Sequence, residues 1–152
     1  RYKLAIRGGD DYMSALKDFL LENSDAISKD VEVAISPRFK DKDGKLLKFK
    51  IRPMNGEEFG SYQKQCTTIK MNGKKRETSF DSAKFNNLCI INHCVDPNFK
   101  EADFLKGLGV QTPEQAVAKV LLAGEIVELG NQISRLSGFD VDINDEIEEA
   151  KN

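Results

Sequence analysis

The stretch Lys48-Phe49-Lys50-Ile51-Arg52-Pro53-Met54-Asn55-Gly56-Glu57-Glu58-Phe59-Gly60-Ser61-Tyr62 decides the fold class. Phe49 and Ile51 alternate with Lys48, Lys50 and Arg52, the two-residue period of a strand with one buried face. Pro53 has no N–H for a ladder and ends the strand. Asn55 is a favoured helix N-cap, and Glu58 stands three residues on, where its carboxylate completes a capping box. A strand that turns directly into a helix predicts an α+β fold. The expected form is an N-terminal β-hairpin or small antiparallel sheet packed on a mainly α-helical remainder.

Upstream, Val31, Val33 and Ile35 alternate with Glu32 and Ala34 and supply a second strand. Asp41-Lys42-Asp43-Gly44-Lys45 is the turn between the two arms, the second arm running from Leu46 to Arg52. A first helix is expected from Ala15 to Glu22, capped by Ser14, with Leu16, Phe19 and Leu20 as its apolar stripe. Downstream, the helix opened by Gly56 runs to about Thr67 and buries Phe59, Tyr62 and Cys66. Met71-Asn72-Gly73-Lys74 signals a hairpin, Asn-Gly being suited to a type I′ turn.

Asp81 caps a helix from Ser82 to about Cys94, with Phe85, Leu88, Cys89 and Ile91 inside. A short helix spans Ala102 to Leu108, closed by Gly107 or Gly109. Thr112-Pro113-Glu114 starts another, read as running to Ala123 with Gly124 as the break. Ile126, Leu129, Ile133 and Leu136 continue an apolar stripe until Gly138 ends it. The chain therefore divides into a leading segment 1–12 (an upstream extension or a segment added for expression), one domain over 13–138, and an acidic tail over 139–152. That tail is expected to be frayed or to order only on a partner.

Bulk properties bound the function. The chain has 152 residues, 32% charged, with a net charge of −2. That length buries a real core. The longest apolar run, Val117 to Leu122, is interrupted by Lys119 and falls far short of the ~18 residues that span a bilayer. With no export signal at the start, the expectation is a cytosolic protein without a membrane partner. Three cysteines, Cys66, Cys89 and Cys94, fit reduced core thiols better than a disulfide framework. The small net charge conceals a division. Arg38 to Arg52 holds seven cations against two acids, Lys70 to Arg76 four cations, and Glu114 to Asn152 nine acids against three bases. Such a chain can self-associate head to tail or dock a charged partner, and two solvated faces are the plain alternative.

Chemistry is sparse. His93 is the one histidine, and Cys89 lies four residues before it on a helix face. Two ligands do not make a zinc site, so ordinary core residues are the favoured reading and no metal or cofactor is implied. Gly107-Leu108-Gly109 lacks the third glycine and the preceding strand of a phosphate loop. No catalytic residue can be assigned and the chain is expected not to be an enzyme. Phe39, Phe49 and Phe80 interleave with basic residues, as a single-strand-binding surface would require, but the acidic balance argues against nucleic acid as a partner.

Five runs occur in a recognisable order: Ser14-Ala15-Leu16-Lys17-Asp18-Phe19-Leu20; Phe49 to Phe59 within the opening stretch; Phe85-Asn86-Asn87-Leu88-Cys89-Ile90-Ile91; Cys94-Val95-Asp96-Pro97-Asn98-Phe99; and Leu122-Ala123-Gly124-Glu125-Ile126. Together, over Met13 to Ser137, they resemble the XkdN-like tail assembly chaperones of contractile-tailed phages and defective prophages. The resemblance implies a non-catalytic protein that coats the tape measure protein before the tail tube polymerises, with the tail tube protein as a further partner. A longer frameshifted form commonly accompanies the short one in such systems. Two partner surfaces are candidates. One is the basic loop Lys74, Lys75 and Arg76. The other is a helix-binding groove lined by Val117, Val120, Leu121, Ile126, Leu129, Ile133 and Leu136, for which an ordinary intramolecular core is the stronger reading. A structural or adaptor component of the tail module is the alternative function, and a nucleic-acid-binding regulator a weaker third.

Overall fold

The computed structural model describes residues 14–24 and 29–139. The expectations for segment 1–12 and for the tail beyond Phe139 lie outside the described residues. The fold is α+β. A three-stranded antiparallel sheet is formed by β1 (Val31–Val33), β2 (Phe49–Ile51) and β5 (Cys94–Asp96), with β2 in the centre. Val33 opposes Phe49 and Val31 opposes Ile51. The sequence signalled β1 and β2 but not β5, which is only three residues long. β5 follows directly on the helix that ends at His93, and Arg52 N–H donates to His93 C=O at 2.9 Å beside the sheet.

The second arm is shorter than the alternation promised. From Lys40 to Leu46 the hairpin narrows to one bridge around the turn. There Asp41 accepts from the N–H groups of Asp43 and Lys45, and Gly44 takes a left-handed φ of 83°. Two cations of the supposed basic front are neutralised internally. Arg52 pairs with Glu58 at 3.1 Å, and Arg38 pairs with Glu125. Lys40, Lys42, Lys45 and Lys48 remain exposed.

The helices among the described residues are α1 (Ala15–Glu22), α2 (Gly56–Cys66), α3 (Ser82–His93), α4 (Ala102–Leu108), α5 (Pro113–Val120) and α6 (Ala123–Leu136). Their starts are where side-chain capping places them. Ser14, Asn55, Asp81 and Thr112 each accept a hydrogen bond from the N–H three residues on. Gly109, at φ 75°, closes α4, and Gly138, at φ 96°, follows α6. α1 buries none of its residues, so the stripe Leu16, Phe19 and Leu20 stands in solvent.

The core gathers around α3, which has Cys89, Ile90, Ile91 and His93 buried. Ile51 from the sheet, Phe99 from the loop after β5, and Leu129 and Ile133 from α6 are sealed from solvent around it. Each such side chain contributes about 1.5–3 kcal/mol of burial free energy. α3 and α6 meet closely because α6 carries Gly130 where the Asn86 side chain of α3 lies. A Cβ at Gly130 would sit 2.9 Å from Asn86 Cγ and still nearer its Oδ1.

The helical break falls earlier than Gly124, which lies inside α6. The turn is at Leu121-Leu122. Arg38 donates from Nη2 to the Val120 carbonyl at 2.8 Å, and from Nε and Nη2 to the Glu125 carboxylate at 2.9 and 2.6 Å. Glu125 also accepts from Leu122 N–H at 2.8 Å, capping α6 in place of a residue that has no side-chain oxygen. One guanidinium thus joins the end of α5 to the start of α6.

Candidate functional site

The β-ribbon formed by β3 (Thr67–Asn72) and β4 (Lys75–Phe80) stands apart from the three-stranded sheet. It follows α2 without a loop, and Asp81 returns the chain to α3. Asp81 N–H donates to Cys66 C=O at 2.9 Å and closes the base, while the Asp81 carboxylate caps α3 through Lys84 N–H. The root of the ribbon is therefore fixed to α2 by a backbone bond and to α3 by a side-chain cap. Beyond it, eleven of the twelve strand residues are exposed.

The register sorts the ribbon into two faces. Thr67 opposes Phe80, Ile69 opposes Thr78 and Met71 opposes Arg76, all on one face. Thr68 opposes Ser79, Lys70 opposes Glu77 and Asn72 opposes Lys75 on the other. The first face is apolar: Ile69 is 51% exposed, Met71 65% and Phe80 49%. At its lower end Phe80 packs tilted against Phe85 (centroids 5.5 Å), Phe85 edge-on against Phe59 (5.7 Å), and Phe59 tilted against Phe139 (4.9 Å). A hollow of about 330 Å³ lined by Met54, Phe59, Phe80, Phe85 and Phe139 lies there.

At the upper end the turn is Gly73-Lys74, between the paired Asn72 and Lys75. Gly73 has φ 68°, and no non-glycine residue among those described has a positive φ. Asn72 thus precedes the two central residues instead of occupying the first, and the glycine-first pattern is that of a type II′ turn, not type I′. Lys74, Lys75 and Arg76 come together at this tip. They are exposed and form no ion pair among the described residues.

The second candidate surface is mostly core, although Val117 and Ile126 also border an open hollow of about 630 Å³ between α3, α5 and α6. Val117, Leu121, Leu129 and Ile133 are buried in the core, and Val120, Ile126 and Leu136 pack against it. The stripes of α5 and α6 pack largely on α3, while Val120 and Leu121 border a second hollow with Phe39, Phe49 and Phe104. Phe49 is likewise core and Phe39 packs edge-on against it at 5.1 Å. Of the three interleaved phenylalanines, only Phe80 is presented to solvent. The ribbon's apolar face has one signal in the sequence, the alternation in Thr67-Thr68-Ile69-Lys70-Met71, which is too short to mark a face without the register.

The family profile of the phage XkdN-like tail assembly chaperones matches residues 16–151. The chain belongs to this family. The match takes in the acidic tail as well as the domain. Two relatives from Bacillus subtilis (strain 168) are similar along most of their length. One is the protein XkdN of the phage-like element PBSX, 29% identical over 136 residues, covering 88% of this chain and 92% of that protein. The other is YqbN, 31% identical over 136 residues, covering 88% and 91%. The crystal structure of YqbN superposes with a TM-score of 0.60 at 26% identity, covering 74% of this chain and 87% of that one.

The titratable groups of this XkdN-like chaperone are set for structure. Burial pushes the Cys89 and Cys94 thiols up to about 12 and raises Cys66 as well, so their reactive thiolate forms are suppressed. Burial, helped by the Arg52 charge, lowers the His93 pKa and keeps the ring neutral, with Tyr62 Oη 2.9 Å from Nε2. Hydrogen bonds from Arg38 hold the Glu125 carboxyl down to about 2. Among the described residues no three His, Cys, Asp or Glu side chains gather as a metal site, and no helix is long and apolar enough to cross a membrane.

Proposed function

We propose that this XkdN-like chaperone holds the tape measure protein during tail assembly, in the cytosol of the bacterial host, without making or breaking a covalent bond. The β3–β4 ribbon is the contact surface. One observation carries this reading: an ordered ribbon rooted on the core presents an apolar face, ending in Lys74, Lys75 and Arg76, to solvent. An isolated two-stranded ribbon is at best marginally stable in water, so covering that face is favourable. Ile69, Met71 and Phe80 suit the apolar stripe of a long helix, and the cations suit acids beside that stripe. The tail tube protein, or another copy of the chaperone, would meet the same surface.

The test is co-expression with the tape measure protein of the same operon, followed by pull-down and by analysis of purified particles. The chaperone is expected in the pull-down and absent from finished particles. Substituting Lys74, Lys75 and Arg76 by Glu should remove it from the pull-down. Stoichiometric retention in particles would overturn the reading in favour of a structural or adaptor component.

A further inference from the structure

We infer that the apolar stripe of α1 on one copy of this chain docks on the apolar face of the β3–β4 ribbon of a second copy. This rests on the reading of the ribbon as a contact surface and names what covers it while no tape measure protein is bound. α1 does not account for its own helix. Isolated helices shorter than ~12–15 residues are marginal in water, and α1 has eight residues, none of them buried. Leu16, Phe19, Leu20 and Leu21 are 57–66% exposed. Successive helical residues turn by about 100°, so Leu16, Phe19 and Leu20 share one face. The charges of α1 also work against it. Asp18 and Glu22 are like charges four residues apart. The last turn holds Glu22 and no cation, where the negative end of the helix dipole favours one. An apolar surface with cations at one end relieves both defects.

The ribbon is such a surface. Phe80, Ile69 and Met71 form a strip along one face, and Arg76 opposes Met71 at its outer end on the same face. From the Thr67–Phe80 pair to the Met71–Arg76 pair is four residue steps, about 14 Å at ~3.4 Å per residue. The eight residues of α1 span about 12 Å at ~1.5 Å per residue. With Leu16 seated at the hollow beside Phe80, Phe19 and Leu20 lie over Ile69. Glu22 and the helix C-terminus then reach the Arg76 end, with Lys74 and Lys75 beyond.

Charge sets the direction. The three tip cations form no ion pair among the described residues, and α1 carries its acid without a cation at the end that meets them. In the single chain the helix stripe and the ribbon strip both stand in solvent, so the contact joins two copies. Each copy offers one helix and one ribbon, which makes the two sides of the contact unlike. The contact is measured on the chain alone and through α1, so its failure leaves the tape measure reading standing, and the reverse.

The experiment is sedimentation velocity of the full chain over a dilution series. A helix this short on one ribbon covers less than the ~1,200 Å² of a standard interface, so association is expected at chain concentrations on the order of 10–100 µM. Two variants divide the contact. Leu16→Gln/Phe19→Gln/Leu20→Gln removes the stripe while keeping residues that favour a helix. Ile69→Gln/Met71→Glu removes the ribbon strip. All five side chains are exposed, so circular dichroism should match the wild type. Each variant alone should associate about tenfold more weakly or worse. Mixed, the two should form a one-to-one complex, the intact helix of one on the intact ribbon of the other. A wild-type chain still monomeric at ~1 mM overturns the inference. So does undiminished association of either variant alone, which assigns the contact to two ribbons or to two helices, and so does a mixture that stays monomeric.

Discussion

Replacing Gly130 by Ala tests the close contact that seals the α6 stripe against α3. In an open helical position Gly→Ala stabilises by about 0.5–1 kcal/mol, through helix propensity and a less flexible unfolded chain. Gly60 in α2 is such a position: it is exposed and nothing lies within 4 Å of an added Cβ. At Gly130 the same methyl group would lie 2.9 Å from Asn86 Cγ and 3.1 Å from Nδ2. Either the Asn86 amide leaves, giving up its 3.4 Å hydrogen bond to the Ile126 carbonyl, or the helices move apart. Overpacking of this kind costs about 1–3 kcal/mol. Subtracting the propensity gain leaves a net destabilisation of about 0–2.5 kcal/mol for Gly130→Ala, against a gain for Gly60→Ala. Urea denaturation followed by circular dichroism measures both. In an Asn86→Ala background the obstruction is gone, and Gly130→Ala should then stabilise as Gly60→Ala does, a coupling read from the double-mutant cycle. Gly130→Ala stabilising the native chain as much as Gly60→Ala, with no dependence on Asn86, would refute the reasoning.

Stability should fall on acidification in two steps. The folded pKa of His93 is below 6.5 and that of Glu125 is about 2 against 4.5, so in each case the unfolded chain binds the proton first. The His93 contribution is whole above pH ~6.5 and lost below it; that of Glu125 is lost from ~4.5 toward 2, each with a slope of at most ~1.4 kcal/mol per pH unit. As His93 is the sole histidine, His93→Phe should flatten the first step in denaturation curves between pH 7 and 5. Cys89 and Cys94, with pKa values of about 12, should react with a thiol reagent at pH 8 only as fast as the chain opens, so labelling monitored by mass spectrometry should accelerate with urea. Asp81→Ala should cost about 1 kcal/mol by removing the α3 cap, detectable as a lower urea midpoint.

Local signals made most of the fold legible. The caps Ser14, Asn55 with Glu58, Asp81 and Thr112 with Pro113 act within a few residues of themselves, so the starts of four helices could be read directly. What depended on distant partners could not. The α5–α6 break is set by Arg38, 87 residues before Glu125, and Gly124 was the nearest local signal to hand. The stripe from Val117 to Ile133 has the same periodicity whether it faces a partner or α3; the close approach of Gly130 to Asn86 turns much of it toward α3 and leaves no mark in the pattern. The tip cations Lys74, Lys75 and Arg76 were recognised from charge alone. The apolar face beneath them needed the pairing of Ile69 with Thr78 and Met71 with Arg76, which fixes what shares a side. In α1 the apolar stripe of Leu16, Phe19 and Leu20 is where the periodicity places it, but periodicity does not show what covers a face, and these side chains are exposed.

The most direct measurement is calorimetric titration of the purified tape measure protein with the full chain, in parallel with its Lys74→Glu/Lys75→Glu/Arg76→Glu variant. Reversible binding of several chains along each tape measure protein is expected, weakened by about tenfold or more in a variant that keeps the wild-type circular dichroism, the loss growing smaller as salt is raised. Equal affinity of the two chains, or no heat of binding from either, would contradict it.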